Sequence, residues 1–237
     1  MNKIKGILFD SGRVLNFAAT GDWSFSPNFF QIVGKDKFYN IPKVKRKAAY
    51  KKAWDYINSI KSMRTIEEEW EHFSKFFTII AEELPELEIH EEKKKLIIDD
   101  FVYNFDKYTF FKDVLEVIPR LRCSYKLCVV SDAWPSLRGV FKKAGLDTYF
   151  NSLIISSELG VTKPNPQMYK AALKELGLNE DEVIFIDDNP KNCDGACQLG
   201  IKTIILNRDL FTRVYIRFVL KTRFKIVRNL YEIEKLI

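Results

Sequence analysis

The sequence predicts an α/β protein: a doubly wound parallel sheet with a helical domain inserted after its first strand. Three observations carry this. Residues 4–9 form a short apolar run that stops at one carboxylate, Asp10. From residue 112 onward, short apolar runs alternate with amphipathic stretches that close at Gly145, Gly177 and Gly200. Between these regions, residues 35–108 show helical spacing and almost no strand signal. Runs too apolar for a half-exposed strand belong in the buried centre of a parallel sheet, and strand–helix alternation is the doubly wound pattern.

The first run, ILF, leads into Asp10 and then a small, flexible pair, Ser11-Gly12. Residues 16–30 mix Gly, Ser, Asn, Pro and aromatics and read as a loop or tight hairpin. In the insert, Ala49, Ala53, Tyr56, Ile57 and Ile60, then Trp70, Phe73, Phe77 and Ile80, recur at helical spacing. Thr65 followed by Glu67, Glu68 and Glu69 is a helix start, Pro85 ends that helix, and residues 91–105 form another. Three or four helices are expected, too many for a loop. Residues 16–108 are therefore assigned to a helical domain, and 1–15 with 109–237 to the core. In the core, helices are expected at 112–122, 135–144, 165–176 and 190–199, and strands at 126–130, 153–155, 183–186 and 202–206. The last fourteen residues resemble an edge strand and a closing helix. Residues 209–223 fit the alternation poorly.

Composition narrows the function classes. The chain has 237 residues and 46% hydrophobic content, enough for a full core. No apolar run approaches the ~20 residues of a membrane span, and Asp10 and Arg13 interrupt any leader-like pattern, so a cytoplasmic protein is expected. Cys123, Cys128, Cys193 and Cys197 lack metal-site spacing, and His72 and His90 lie among helix-like charged residues. Residues 207–228 hold seven Lys and Arg against Asp209 alone, an excess equal to the whole-chain net charge of +6. Such clusters can attract polyanions. No membrane or nucleic-acid motif accompanies this one, so neither partner is expected. Because Phe211, Tyr215, Phe218 and Leu220 lie among the charges, the segment is expected to pack on the core or on a second subunit, as in a homodimer.

The chemistry collects where strands end. Asp10 follows ILF, Ser131-Asp132 follows LCVV, Lys163 follows LIIS by a loop, and Asp187-Asp188 follows VIFI. Right-handed crossovers place all four on one sheet edge, where such folds bind ligands. Two adjacent carboxylates facing a third repel unless a cation joins them, and carboxylate oxygens suit Mg²⁺. With Lys163 as a second positive charge and Ser131 as a hydroxyl donor, this is a site for a phosphoryl group. Asp10 is the expected nucleophile on phosphorus, Lys163 supports catalysis, and Ser131, Asp132 and Lys163 bind phosphate.

The motifs FDSGRVL, VVSD, ELGVTKPNPQMY and FIDDNPKNCDGACQLG together resemble the haloacid dehalogenase superfamily of hydrolases. The last two are similar to the branch containing bacterial glucose-1-phosphatase and the N-terminal phosphatase domain of soluble epoxide hydrolase. The resemblance implies a Rossmann-like core with residues 16–108 as its cap. It implies Mg²⁺ held by Asp10, the backbone carbonyl of Gly12, Asp188 and Asp187, with Asn192 orienting the last loop. It also exposes a departure: the second Asp that serves related phosphatases as acid and base is Gly12 here. The leading expectation is a Mg²⁺-dependent phosphomonoesterase acting on a small soluble phosphate ester through an aspartyl-phosphate. The alternatives are a 2-haloacid dehalogenase using Asp10 on carbon, which needs no metal, and a phosphate-ligand binding protein.

Overall fold

The computed structural model describes residues 3–237. In chain order, β1 (Gly6–Phe9) is followed by β2 (Asn16–Ala18) and five helices: α1 (Phe29–Val33), α2 (Lys35–Asn40), α3 (Lys43–Ser59), α4 (Ile66–Glu83) and α5 (Glu91–Tyr103). Then come β3 (Tyr108–Phe110), α6 (Lys112–Arg122), β4 (Lys126–Ser131), α7 (Leu137–Lys143), β5 (Ser152–Ile155), α8 (Ser156–Leu159), α9 (Pro166–Leu176) and β6 (Val183–Asp187). The chain closes with α10 (Pro190–Gln198), β7 (Lys202–Leu206), α11 (Leu210–Phe218), β8 (Lys225–Val227) and α12 (Leu230–Glu234). Among the described residues no helix is long and apolar enough to cross a membrane.

Six parallel strands form the main sheet in the order β5-β4-β1-β6-β7-β8. β1 is central, with Phe9 opposite Val129 on one side and Ile186 on the other. Alternate residues feed two cores. Ile7, Phe9, Val129 and Ile186 pack with α6 and α12, and Leu8, Cys128, Val130 and Phe185 pack with α9. Both faces are covered, which explains the unbroken apolar runs. The chain builds outward from β1 through β4 to β5, then returns to β6 on the other side. That reversal opens a crevice at the C-terminal end of β1.

The inserted helices share an aromatic core of their own. Phe73, Phe76, Phe77 and Ile80 occupy one face of α4 and are fully buried. The helix begins where Thr65 Oγ1 accepts the Glu68 amide at 3.2 Å. The structure has five helices here rather than three or four, because α1 and α2 are too short to show a period. It also contains a ribbon missing from the sequence-based expectation: β2 pairs antiparallel with β3, Phe17 opposite Thr109. Three-residue strands cannot display alternation, so this pair left no signal.

A buried polar contact ties α4 to the loop after β4. Glu69 Oε2 accepts the Ser136 amide at 2.7 Å, and Glu69 Oε1 accepts the Ser136 hydroxyl at 2.6 Å. Lys107 Nζ donates to the same hydroxyl at 2.6 Å and lies 3.7 Å from Glu69. Trp134, from the same loop, stacks on Trp54 of α3 with ring centres 5.8 Å apart. At Gly160 (φ 73°) a Cβ would lie 2.8 Å from the Lys61 carbonyl oxygen, so this close approach of cap and core requires glycine.

Candidate active site

The carboxylates and Ser131 are delivered by the ends of buried strands, and Lys163 by the loop after β5 and α8. At the end of β1, the Asp10 amide donates to the Ile186 carbonyl at 2.8 Å, which fixes the Asp10 backbone between β1 and β6. Ser11 turns the chain: its carbonyl accepts the amides of Leu15 and Asn16, and its hydroxyl accepts Asn16 Nδ2 at 2.8 Å. Lys163 follows α8, and its amide donates to Asp132 Oδ1 at 2.9 Å. Asp132 therefore positions the lysine loop while it also lines the cavity described below.

The Lys163 ammonium is buried between two carboxylates, 2.5 Å from Asp10 Oδ1 and 2.9 Å from Asp187 Oδ2. Asp187 is held further: Oδ2 accepts Asn192 Nδ2 at 3.0 Å, and Oδ1 accepts the Asn189 amide at 2.7 Å. Asp188 is less enclosed and lies 3.9 Å from the Arg13 guanidinium. Carboxylate oxygens of Asp10, Asp187 and Asp188 all fall within 4.8 Å of one another.

The electrostatics follow from burial and crowding. Burial pushes the Asp10 carboxyl up to about 8; Lys163 pulls it down, and Asp187 and Asp188 add to the rise. Burial, then Asp187, lifts Asp188 to about 6 against the pull of Arg13 and Lys163. Burial alone would lower Lys163, but Asp10, Asp187 and Asp132 outweigh it and hold the ammonium well above its usual range. One buried lysine faces three carboxylates here. The donor set, hard oxygens clustered with excess negative charge, fits a divalent cation such as Mg²⁺. Asp10 and Asp188 offer carboxylate oxygens close enough together to hold one, and Gly12 lines the cavity beside them. Asp187 joins the same cluster while its oxygens also receive Lys163, Asn192 and Asn189.

Over this cluster lies a cavity of about 830 Å³. Its floor includes Ser11, Gly12, Ser131 and Asp188; Asp10, adjoining Ser11, is 8% exposed. Its walls are mostly apolar. Trp23 and Tyr108, ring centres 4.8 Å apart, stand with Trp134 on the cap side. Tyr215 and Ile216 of α11 line another wall. The structure thus gathers every site residue expected from the sequence: Asp10, Gly12, Ser131, Asp132, Lys163, Asp187 and Asp188. The sequence reading missed Arg13 and the aromatic walls. Arg13 sits inside the motif FDSGRVL, and a basic residue three after a strand-end carboxylate was the available signal. Trp23 gave none, because it lies in a loop between the short β2 and α1, and the apolar residues of α11 gave none because they carry no polar group at the strand end.

Comparison with known proteins agrees with this geometry. The chain is 27% identical over 121 residues to (S)-2-haloacid dehalogenase 4A of Burkholderia cepacia, covering 50% of this chain and 52% of that one. It is 29% identical over 116 residues to glyceraldehyde 3-phosphate phosphatase of Methanopyrus kandleri, covering 45% and 48%. The chain thus spans about half the length of these relatives. Its fold matches the structure of L-2-haloacid dehalogenase from Xanthobacter autotrophicus with a TM-score of 0.65 at 19% identity, over 98% of both chains. A family model described as haloacid dehalogenase-like hydrolase matches residues 58–206, more than half of the chain and three of the four strand-end clusters. With the sheet order, the inserted cap and the gathered carboxylates, that match places this chain in the haloacid dehalogenase-like hydrolase family.

Proposed function

We propose that this protein is a Mg²⁺-dependent phosphomonoesterase acting on a small phosphate ester. The observation that carries the reading is the clustering of Asp10, Asp187 and Asp188 within 4.8 Å around a single buried lysine. Displacement at carbon by one carboxylate needs no such surplus of negative charge. A bound Mg²⁺ supplies the positive charge that keeps Asp10 ionised and offsets the phosphoryl oxygens. Asp10 then uses the oxygen not held by Lys163 to attack phosphorus. The new O–P bond replaces the bond to the ester oxygen, which leaves with the alcohol and takes a proton from solvent. Lys163 and Ser131 face the equatorial oxygens, and Asp132 keeps Lys163 in place. Water attacks the aspartyl-phosphate at phosphorus, releasing inorganic phosphate and restoring Asp10.

A second reading is favoured by one feature, Gly12. With no side chain there, the site lacks a carboxyl to protonate an alkoxide, whereas a halide leaving group needs no proton. This reading makes the protein a 2-haloacid dehalogenase with Asp10 attacking carbon. Phosphate release from a panel of esters, with and without Mg²⁺, and chloride release from 2-chloropropionate decide between them. Metal-dependent phosphate release supports the first reading. Metal-independent chloride release without phosphatase activity overturns it.

A further inference from the structure

The basic segment that fits no core alternation forms α11 and the turn after it, and it leaves most of its apolar side chains in solvent. Phe211 is 82% exposed and Phe218 68% exposed. Leu210, Val214, Tyr215, Val219 and Leu220 are exposed as well, and Ile216 is the only buried residue of the helix. Seven of the fifteen exposed large hydrophobics in the described chain thus fall within residues 210–220. Phe211, Val214 and Phe218, at positions i, i+3 and i+7, share one face opposite Ile216. Of the expectation that this segment packs on the core or on a second subunit, the core arm holds for Ile216 and not for the phenylalanines.

The charges around this face are of one sign. Arg208 is spent inside, on Asp113 and the Val14 carbonyl, and Arg213 donates to the carbonyls of Asn207 and Arg208. Arg223 and Arg228 pair with Asp194 and Glu232. Arg217, Lys221 and Lys225 are exposed and form no ion pair among the described residues. Asp209, the only acid in 207–228, is occupied in capping α11 through the Thr212 amide at 2.7 Å.

The geometry points to α11 as a docking helix for an anionic bilayer surface. A helix with projecting phenylalanines flanked by unpaired cations sinks its rings to the headgroup boundary and sets its cations among lipid phosphates. A second copy seated face to face would bring Arg217 and Lys221 against their own equivalents with no acid between them. A nucleic acid would satisfy the cations and leave Phe211 and Phe218 in water. The inner side of the helix, through Tyr215 and Ile216, walls the reaction cavity, so a docked α11 holds that wall against the membrane. The inference does not depend on the reaction the site performs.

Flotation of the full chain with vesicles of phosphatidylcholine alone, or of phosphatidylcholine and phosphatidylserine in equal parts, tests it. Binding is expected to the mixed vesicles only, and to fall in high salt. The double variant Phe211→Ser/Phe218→Ser should lose binding while its thermal unfolding stays unchanged, because both rings are exposed. Arg217→Gln and Lys221→Gln should each weaken binding roughly fivefold. No binding to the mixed vesicles overturns the proposal, as does binding that the double serine variant retains. A dimer in sedimentation that this variant dissolves, without vesicle binding, assigns the face to a second copy and also overturns it. Binding to duplex DNA equal to that for mixed vesicles and unaffected by the serine variant does the same.

Discussion

Restoring a carboxyl at Gly12 is the most direct test of how this site manages protons. Gly12 lies on the cavity floor beside Asp10 and is not among the glycines with positive φ. A Cβ built there meets only the Trp23 ring, at 3.5 and 3.6 Å, which is ordinary contact. Gly12→Asp should therefore fold, with stability changed by about 1 kcal/mol or less. If the wild type lacks a positioned acid, the new carboxyl should raise alkyl phosphate hydrolysis by about 10²–10⁴-fold. The gain should be much smaller for p-nitrophenyl phosphate, because a phenolate leaves with little protonation. The assay is kcat for glycerol phosphate and p-nitrophenyl phosphate with Mg²⁺ present, with Tm measured for each variant. Gly12→Asn matches the shape without the acid and should give no gain. Wild type should also favour the aryl ester strongly, with a burst of phenol before slow turnover of the aspartyl-phosphate. Equal wild-type rates on both esters, or equal effects of Asp and Asn, would refute the reasoning and move the acid to another residue.

Asp10→Asn should abolish turnover and leave the fold intact, read by phosphate release and circular dichroism; activity at wild-type level removes Asp10 as nucleophile. Asp188→Asn should raise the Mg²⁺ concentration needed for half-maximal activity, and an unchanged metal dependence would show that the acidic pair holds no metal. Asp10 ionises near 3.8 in an unfolded chain and near 8 in the metal-free fold. Its contribution to stability is thus fully present below the lower value and lost as pH rises through the higher one. With EDTA, Tm should fall between pH 5 and 8.5, and Mg²⁺ should raise Tm more at pH 8 than at pH 6. Glu69→Ala strips the Ser136 amide and hydroxyl of their acceptor and leaves Lys107 buried without its partner. This should cost about 3–5 kcal/mol, seen in chemical denaturation.

The core was legible because its signals are redundant. β1, β4 and β6 are buried on both faces, so each reads as an apolar run, and Gly177 ends α9 with φ 61° in the left-handed region that glycine adopts freely. The observed bounds of α6 and β7 match those expected, and β1, β4, β5, β6, α7, α9 and α10 lie within two residues of theirs, whereas α8 and α11 were not expected. What escaped has a physical cause. β2 and β3 are three residues each and gain their partners only when the cap's two connections meet. α11 carries a helical pattern, but its apolar face has no partner within the chain. The usual inference, that apolar periodicity implies burial in the chain's own core, therefore does not hold for Phe211 and Phe218.

The site divides along the same line. A parallel sheet with right-handed crossovers sends every strand's C-terminal end to one edge, whatever the packing detail. Asp10, Ser131 and Asp187, far apart in sequence, therefore share one edge, and the strand order β4-β1-β6 sets them side by side. The walls obey no such rule. Trp23, Tyr108 and Trp134 come from loops, from β3 and from the segment locked to the cap by Glu69, and only tertiary packing sets their positions. The relatives named dehalogenase and phosphatase share this family's fold, so strand-end placement alone does not choose between carbon and phosphorus. The choice turns on charge. A carboxylate neutralised by one lysine is sufficient for attack on an alkyl halide, and adding Asp187 and Asp188 beside it only raises the cost of ionising Asp10. Under the proposed phosphatase chemistry that arrangement would become productive once a cation and a phosphoryl group entered together, so a Mg²⁺ requirement for turnover is the outcome that separates it from attack on carbon.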